Sequence, residues 1–182
     1  MFAVLLLTTL LAAADPQAEQ APTPQPEDLA QAGNYKAALE GFRQRVSANP
    51  DDLDARVWIA WLHDRMGRPD LAEPVYRSIV LEAPGHVDAA IQFAAFLTKR
   101  RHHDEAVRVL ERAKDAEPRN PDLLAALGSA HLQVSNTKLA LAYLELAAAL
   151  SPTPENVNAL KRARRAHRSS PSRSPDVVSA GG

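Results

Sequence analysis

The sequence predicts an all-α chain built as a solenoid of stacked helix pairs, and three observations carry that prediction. Hydrophobic residues make up 46% of the 182 residues but aromatic ones only 5%, so alanine supplies much of the apolar count. Alanine is the best helix former, whereas aromatic and β-branched side chains build strands. Prolines then recur at Pro50, Pro84, Pro118 and Pro152, three successive intervals of 34 residues. Self-similarity at such a period marks a repeat architecture. Finally, other positions keep phase with those prolines. Ala38, Ala72, Ala106 and Ala140 stand twelve residues before them, and Phe42, Tyr76, Leu110 and Leu144 stand eight before them. Further upstream, Ile59-Ala60, Phe93-Ala94 and Leu127-Gly128 set a large side chain beside a small one at the same phase.

These residues resemble the tetratricopeptide repeat, a helix–turn–helix unit of large-x-x-Leu-Gly-x-x-Tyr, Ala-x-x-x-Phe and a closing Pro. The last repeat reads Leu124, Leu127, Gly128, His131, Ala140, Leu144 and Pro152. The one before it reads Ala90, Phe93, Ala94, Leu97, Ala106, Leu110 and Pro118, and the first reads Arg56, Ile59, Ala60, His63, Ala72, Tyr76 and Pro84. Arg56 stands in a slot that is usually large and apolar, and His63 and His131 replace the tyrosine. The resemblance covers residues 27–168 and implies a right-handed α-solenoid. It would hold three full repeats, a truncated repeat before them and a capping helix after them.

Taken in chain order, residues 1–14 are uncharged and apolar. They are too short for a membrane span, which needs about 20 apolar residues. They match the apolar core of an export signal, with Ala12-Ala13-Ala14 as a small-x-small cleavage site, although no Lys or Arg precedes the run. Residues 15–26 hold four prolines and nothing aliphatic larger than alanine, and they read as an extended linker. Residues 27–50 form a partial repeat, with a second helix over 35–48 and a first helix squeezed against Pro26 to about two turns. Full repeats occupy 53–86, 87–120 and 121–154. Between them a proline, lacking an amide hydrogen, stops one helix. After Pro118, Asn120 caps the next helix, Pro121 sits in its first turn where no donor is needed, and Asp122 meets the positive helix end. Thr153-Pro154-Glu155 repeats the device. Residues 155–168 read as a capping helix with Val157, Leu160 and Ala163 on one side, and residues 169–182 as a disordered tail.

The function classes narrow by exclusion first. There is no cysteine, so disulfides, thiolate metal sites, cysteine nucleophiles and lipid attachment to an N-terminal cysteine are excluded. His102-His103-Asp104 falls at a turn, with no second ligand pair at metal-binding spacing. No Gly-rich phosphate loop is present, and no nucleophile stands out with a base and an orienting group. The chain therefore reads as a non-enzyme without metal, cofactor or small-molecule substrate.

In the family it resembles, the first helix of each pair lines a concave groove that holds a segment of another protein. Carried onto this chain, the groove comprises Asp54, Val57, Trp58, Trp61, Asp64 and Arg65 in the first full repeat. The second contributes Asp88, Ile91, Ala95, Thr98 and Lys99, and the third Asp122, Ala125, Ser129 and Gln133. Spacings of three, four and seven put each set on one side of its helix. The centre of the site is expected at Asp54, Val57, Trp58, Trp61, Arg65, Ile91, Ala95 and Lys99. The clamp with which one branch of the family grips a terminal carboxylate is replaced by Val57, Trp61, Ile91 and Ala95. The implied ligand is an apolar helix or extended segment of a partner protein. The competing reading of equal weight is that the truncated repeat or the linker covers both tryptophans, since apolar stripes on helices are usually core.

Charge is unevenly spread. From Lys161 onward there are six basic residues and one acid, while the preceding 160 carry 15 basic and 21 acidic side chains. Lys161, Arg162, Arg164, Arg165 and Arg168 either solvate a helix end, helped by the cation–dipole interaction, or attract an anionic surface, polymer or nucleic acid. No aromatic residue interleaves with them to stack bases, which disfavours nucleic acid. Arginine outnumbers lysine 16 to 5, which together with the apolar start suggests an exported protein of a GC-rich bacterium, periplasmic or secreted. The expected function is a non-catalytic scaffold in a cell-envelope assembly; the alternative is a spacer anchored through its basic helix.

Overall fold

The computed structural model describes residues 24–169. The expected export signal, most of the linker and all but the first residue of the tail lie outside them. The described residues form nine helices and no strand. These are α1 (Pro26–Gln31), α2 (Tyr35–Ala48), α3 (Leu53–Arg65), α4 (Pro69–Glu82), α5 (Val87–Lys99), α6 (His103–Ala116), α7 (Pro121–Gln133), α8 (Thr137–Leu150) and α9 (Pro154–Ser169). Each odd helix from α1 to α7 packs on the even one that follows it, and α3, α5 and α7 also pack side by side. None of these helices is long and apolar enough to cross a membrane.

Two kinds of joint alternate along the chain. Inside each pair the backbone turns through one left-handed residue: Gly33 (φ 79°), Gly67 (φ 73°), Arg101 (φ 64°) and Ser135 (φ 59°), again 34 apart. The amide of the next residue then donates to the carbonyl five positions back. Asn34 bonds to Leu29, Arg68 to His63, His102 to Leu97 and Asn136 to His131, at 2.8–2.9 Å. This is the Schellman stop, which closes the last helical carbonyls. Between pairs, a side chain caps the next helix. Asp52 Oδ1 accepts from the Ala55 amide at 2.8 Å, His86 Nδ1 from Ala89 at 3.3 Å, and Asn120 Oδ1 from Asp122 and Leu123 at 3.0 and 3.1 Å. Thr153 Oγ1 accepts from Asn156 at 3.2 Å. Pro121 and Pro154 occupy first-turn positions that need no donor.

The phased residues form the interior. Ala38, Ala72, Ala106 and Ala140 are fully buried, as are Phe42, Tyr76, Leu110 and Leu144 to within 1%. Gly128 is required by close approach: a Cβ there would meet Leu144 Cγ at 2.5 Å and the Ala140 carbonyl at 3.1 Å. Arg56, out of character for an apolar slot, lies across the joint to α4 and donates to Glu82 Oε2 at 2.7 Å and Ser78 Oγ at 3.2 Å. Both histidines in the tyrosine slot are buried, yet differently served. The His131 ring stacks on Tyr143, and its Nε2 lies 3.4 Å from Glu111 Oε1, the same oxygen that accepts from Tyr143 Oη at 2.9 Å. Burial pushes the Glu111 carboxyl up, but hydrogen bonds from Lys114, Tyr143 and His131 hold it below the usual range. For His63, as for His131, Nδ1 is buried without a hydrogen-bond partner among the described residues. Burial first, then the nearby Arg43 and Arg68 charges, depress its pKa despite the opposing Asp70.

Two expectations follow. A left-handed conformation costs a side-chain-bearing residue about 1–2 kcal/mol, part of which glycine gives back through its freer unfolded chain. Arg101→Gly is therefore expected to stabilise the protein by about 0.5–1 kcal/mol in urea denaturation, whereas Gly67→Ala should destabilise it. For His63, the unfolded chain takes up a proton below its ordinary value of about 6.5 while the folded one resists, so stability falls as pH drops through that value. His63→Tyr should show a smaller loss in urea midpoint between pH 7.5 and about 5.5 than the parent; an identical loss would refute the assignment.

Candidate functional site

The side-by-side packing of α3, α5 and α7 leaves two open cavities on the face their outward residues share. The first, of 660 Å³, is lined by Glu27, Arg45, Asp54, Val57, Trp58, Trp61, Asp88 and Gln92. The second, of 410 Å³, lies between α5 and α7. Its floor includes the buried Leu110, Ala94 and Ala130, and its walls carry Ile91, Ala95, Thr98, Lys99, Ala126, Ser129 and Gln133. Small side chains on α7 explain the second cavity. Where α3 has Trp61, α5 has Ala95 and α7 has Ser129, so the same repeat position shrinks along the stack.

Both tryptophans face the first cavity, and the truncated repeat also packs on them. Trp58 stacks on Phe42 of α2, with centroids 5.4 Å apart and planes 7° from parallel. Trp61 meets Trp58 edge-on at 5.4 Å and Tyr35 edge-on at 6.0 Å. Arg65 closes the row, its guanidinium 5.4 Å from the Trp61 ring centre and 5.9 Å from that of Tyr35. Each tryptophan is half-buried: one side ties α2 to α3, the other is left to the cavity. The truncated repeat thus covers one side of these rings and leaves the other open to the cavity.

Opposite the first turns of these helices, the rim is built by a charge cluster. Asp64 accepts from Arg100 Nη2 at 2.9 Å and from Lys99 Nζ at 3.1 Å. Burial pushes the Asp64 carboxyl up, but these two bonds hold it below the usual range. The Arg100 guanidinium sits 3.6 Å from the centre of the Phe96 ring, which anchors the cluster to the core.

Of the expected central residues, Asp54, Val57, Trp58 and Trp61 line the first cavity and Ile91, Ala95 and Lys99 the second. Val57 is 8% exposed, so it presents an edge and not a full side chain. Arg65 lines neither cavity because stacking holds it on Trp61 and Tyr35. Ala125 also departs from expectation: it packs toward Leu144, Ala159 and Ala163, under α9, and Ala126 takes its place in the cavity wall. Helical periodicity also missed Gln92. Glu27 and Arg45 come from the irregular first repeat, where no phase could locate them. On α9, Arg164 pairs with Glu145 at 3.1 Å, while Lys161, Arg162, Arg165 and Arg168 lie exposed along the helix. His102 precedes α6 and His103 begins it, and no group of three or more His, Cys, Asp or Glu among the described residues is arranged to hold a metal ion.

This geometry defines a helical-repeat module with an open groove. Its tetratricopeptide character is shown directly: a tetratricopeptide-repeat family model matches residues 29–99 and 65–130, and the chain belongs to that family. Among solved structures, TTC0263, a thermophilic TPR protein of Thermus thermophilus, is 24% identical with a TM-score of 0.67. The match covers 78% of this chain and 79% of that one. Pseudomonas aeruginosa pilF is 21% identical with a TM-score of 0.69, covering 79% and 66%. At these identities the likeness establishes the fold. Human protein O-mannosyl-transferase TMTC1 is 25% identical over 95 residues, 52% of this chain and 11% of that protein. The chain spans between 9% and 20% of the lengths of the curated relatives it matches.

The stacked rings make Trp58 a structural residue as well as a wall of the site. Trp58→Ala is expected to cost about 2–4 kcal/mol in urea denaturation, toward the lower end of values for aromatic truncation because the ring is only half-buried. Trp58→Phe, which keeps a ring against Phe42, should cost less than half as much. Equal losses would mean that stacking contributes nothing.

Proposed function

We propose that this protein is a non-catalytic adaptor that holds a segment of a partner protein in the groove over α3, α5 and α7. Family membership supports protein binding in general, since repeats of this kind commonly mediate contacts between proteins. One observation carries the particular site: the 410 Å³ cavity over Ala95, Ala126 and Ser129 opens outward, has a buried apolar floor and is filled by no side chain of the described residues. A bulky apolar residue entering it would leave water for apolar walls, worth about 25 cal/mol per Å² before the entropy cost of association. The Trp58–Trp61 edge extends the apolar track, and large aromatic side chains at the centre of a contact dominate binding energy.

The export signal read in residues 1–14 supports a place in the cell envelope, and that placement is part of the proposal. An anchoring role for α9 is the second reading, favoured only by the exposed row of Lys161, Arg162, Arg165 and Arg168. That row carries no apolar residue to hold a surface, so solvation of the stack end is the simpler account.

Ala95 is exposed, so Ala95→Trp should leave folding intact while filling the cavity. A photo-crosslinking residue at Gln133 is expected to capture a partner in the native host, and Ala95→Trp should abolish that capture with the melting temperature unchanged. Capture that persists undiminished in Ala95→Trp would remove the groove as the binding site.

A further inference from the structure

We infer that the occupant of this groove is a cationic amphipathic helix of another protein, a step that rests on the groove reading above. The cavity floor asks for an apolar stripe, and the rim selects what flanks it. Asp54, Asp88 and Asp122 recur at 34-residue intervals in the first turns of α3, α5 and α7, and all three are exposed. The helix dipole alone accounts for an acid at such a position. What gives the row a further meaning is its place beside the apolar track: Asp54 and Asp88 are themselves walls of the first cavity, together with Glu27. Among the described residues, Asp54 pairs only with His86 Nε2, at 3.2 Å, and no cation pairs with Asp88 or Asp122. Arg45, the cation in that wall, is already held by Glu27 at 2.6 Å and Asp52 at 2.9 Å. Across the groove the sign reverses, with Lys99 and Arg65 at the far ends of α5 and α3.

Spacing narrows the ligand further. Packed helices lie about 8–10 Å apart, so the three acids form rungs at about that interval. A helix laid across them returns the same face every seven residues, an advance of about 10.5 Å. Lys or Arg at seven-residue intervals would therefore meet successive acids while the adjacent apolar stripe enters the Ala95–Ser129 cavity. The basic α9 of a second copy does not fit. Lys161 and Arg168 have the spacing, but the exposed face carries no large apolar side chain: Val157 and Leu160 are half-buried, Leu160 against the stack.

The test is a displayed library of helical peptides of about 18 residues, long enough to cross three rungs at about 1.5 Å per residue. It is selected on the full chain and counter-selected on Ala95→Trp. Groove-dependent binders are expected to carry net positive charge, with Lys or Arg seven residues apart beside a bulky apolar residue. Their affinity should weaken at least about tenfold, or 1.4 kcal/mol, in Asp88→Lys, and a Lys→Glu peptide should recover it. Groove-dependent binders that are neutral or acidic, or that ignore Asp88→Lys, would overturn the cationic occupant and leave the groove reading intact. A library yielding no binder sensitive to Ala95→Trp would overturn both. Self-association of the chain that Arg168→Glu abolishes would assign the groove to a second copy instead.

Discussion

Everything in this molecule depends on how closely the two helices of a pair cross. At the crossing in the last pair, Gly128 lies so near Leu144 that even a methyl group would intrude. Ala60 and Ala94 hold the same place in the earlier pairs, facing Tyr76 and Leu110, and all of these are buried. A small residue on the first helix therefore receives a large one from the second. That contact fixes the separation within the pair, and packing at interior density leaves little room for another one. Once every pair closes in the same way, the next pair inherits its orientation from the capped joint that follows. The first helices then line up side by side, and the groove is the surface they share. It is a consequence of the crossing, repeated.

The first repeat breaks this regularity, and the tryptophans show how the chain accommodates it. With α1 reduced to six residues, the stack begins with an incomplete pair. The Phe42–Trp58–Trp61–Tyr35 row supplies the missing contact area, and Arg65 lies over its end. Glu27, Arg45 and Asp52 tie α1, α2 and the start of α3 together by charge. Partly exposed pairs of that kind contribute little stability by themselves. The aromatic row must carry most of the joining, which is why residues that look like ligand contacts in the sequence are structural on one side. The opposite end is closed differently, by α9 over Leu144, with Ala159 and Ala163 giving the close approach.

The fold was legible because its information is periodic. A 34-residue interval repeated three times, with small and large residues in phase, specifies helix length, crossing and joint together. The caps could be read locally as well: Asn120 before Pro121 does in space what its chemistry suggests. The left-handed turns were harder to see, because Arg101 and Ser135 stand where Gly33 and Gly67 would have announced them. The candidate site was half legible. The resemblance pointed to the first-helix face and helical spacing picked out its positions, but Ala125 lies under α9, and no repeat pattern says which neighbour a helix face will meet. Glu27 and Arg45 reach the cavity from the irregular repeat, where there is no phase to follow. Arg65 lies at the end of the aromatic row, over Trp61 and Tyr35, and lines neither cavity, a placement that helical spacing alone does not give.

Stability and recognition are carried by different residues here, and that separation bears on what the groove can become. The residues that hold the pairs together, from Ala38 to Leu144, are buried at the crossings, and only Ala94 and Leu110 among them reach the groove, as the floor beneath its exposed walls. Ala95, Ser129 and Gln133 line the cavity but are exposed, and removing or enlarging them disturbs no crossing. In a stack where each repeat meets only its neighbours, such changes stay local in their effect on the fold. The exception is the first cavity, where Trp58 and Trp61 serve both roles. Variation in ligand preference should therefore be concentrated over α5 and α7, while the wall over α3 stays aromatic. A graded groove of this kind has a fixed end that is costly to change and an adaptable end whose shape and charge are free to follow the partner.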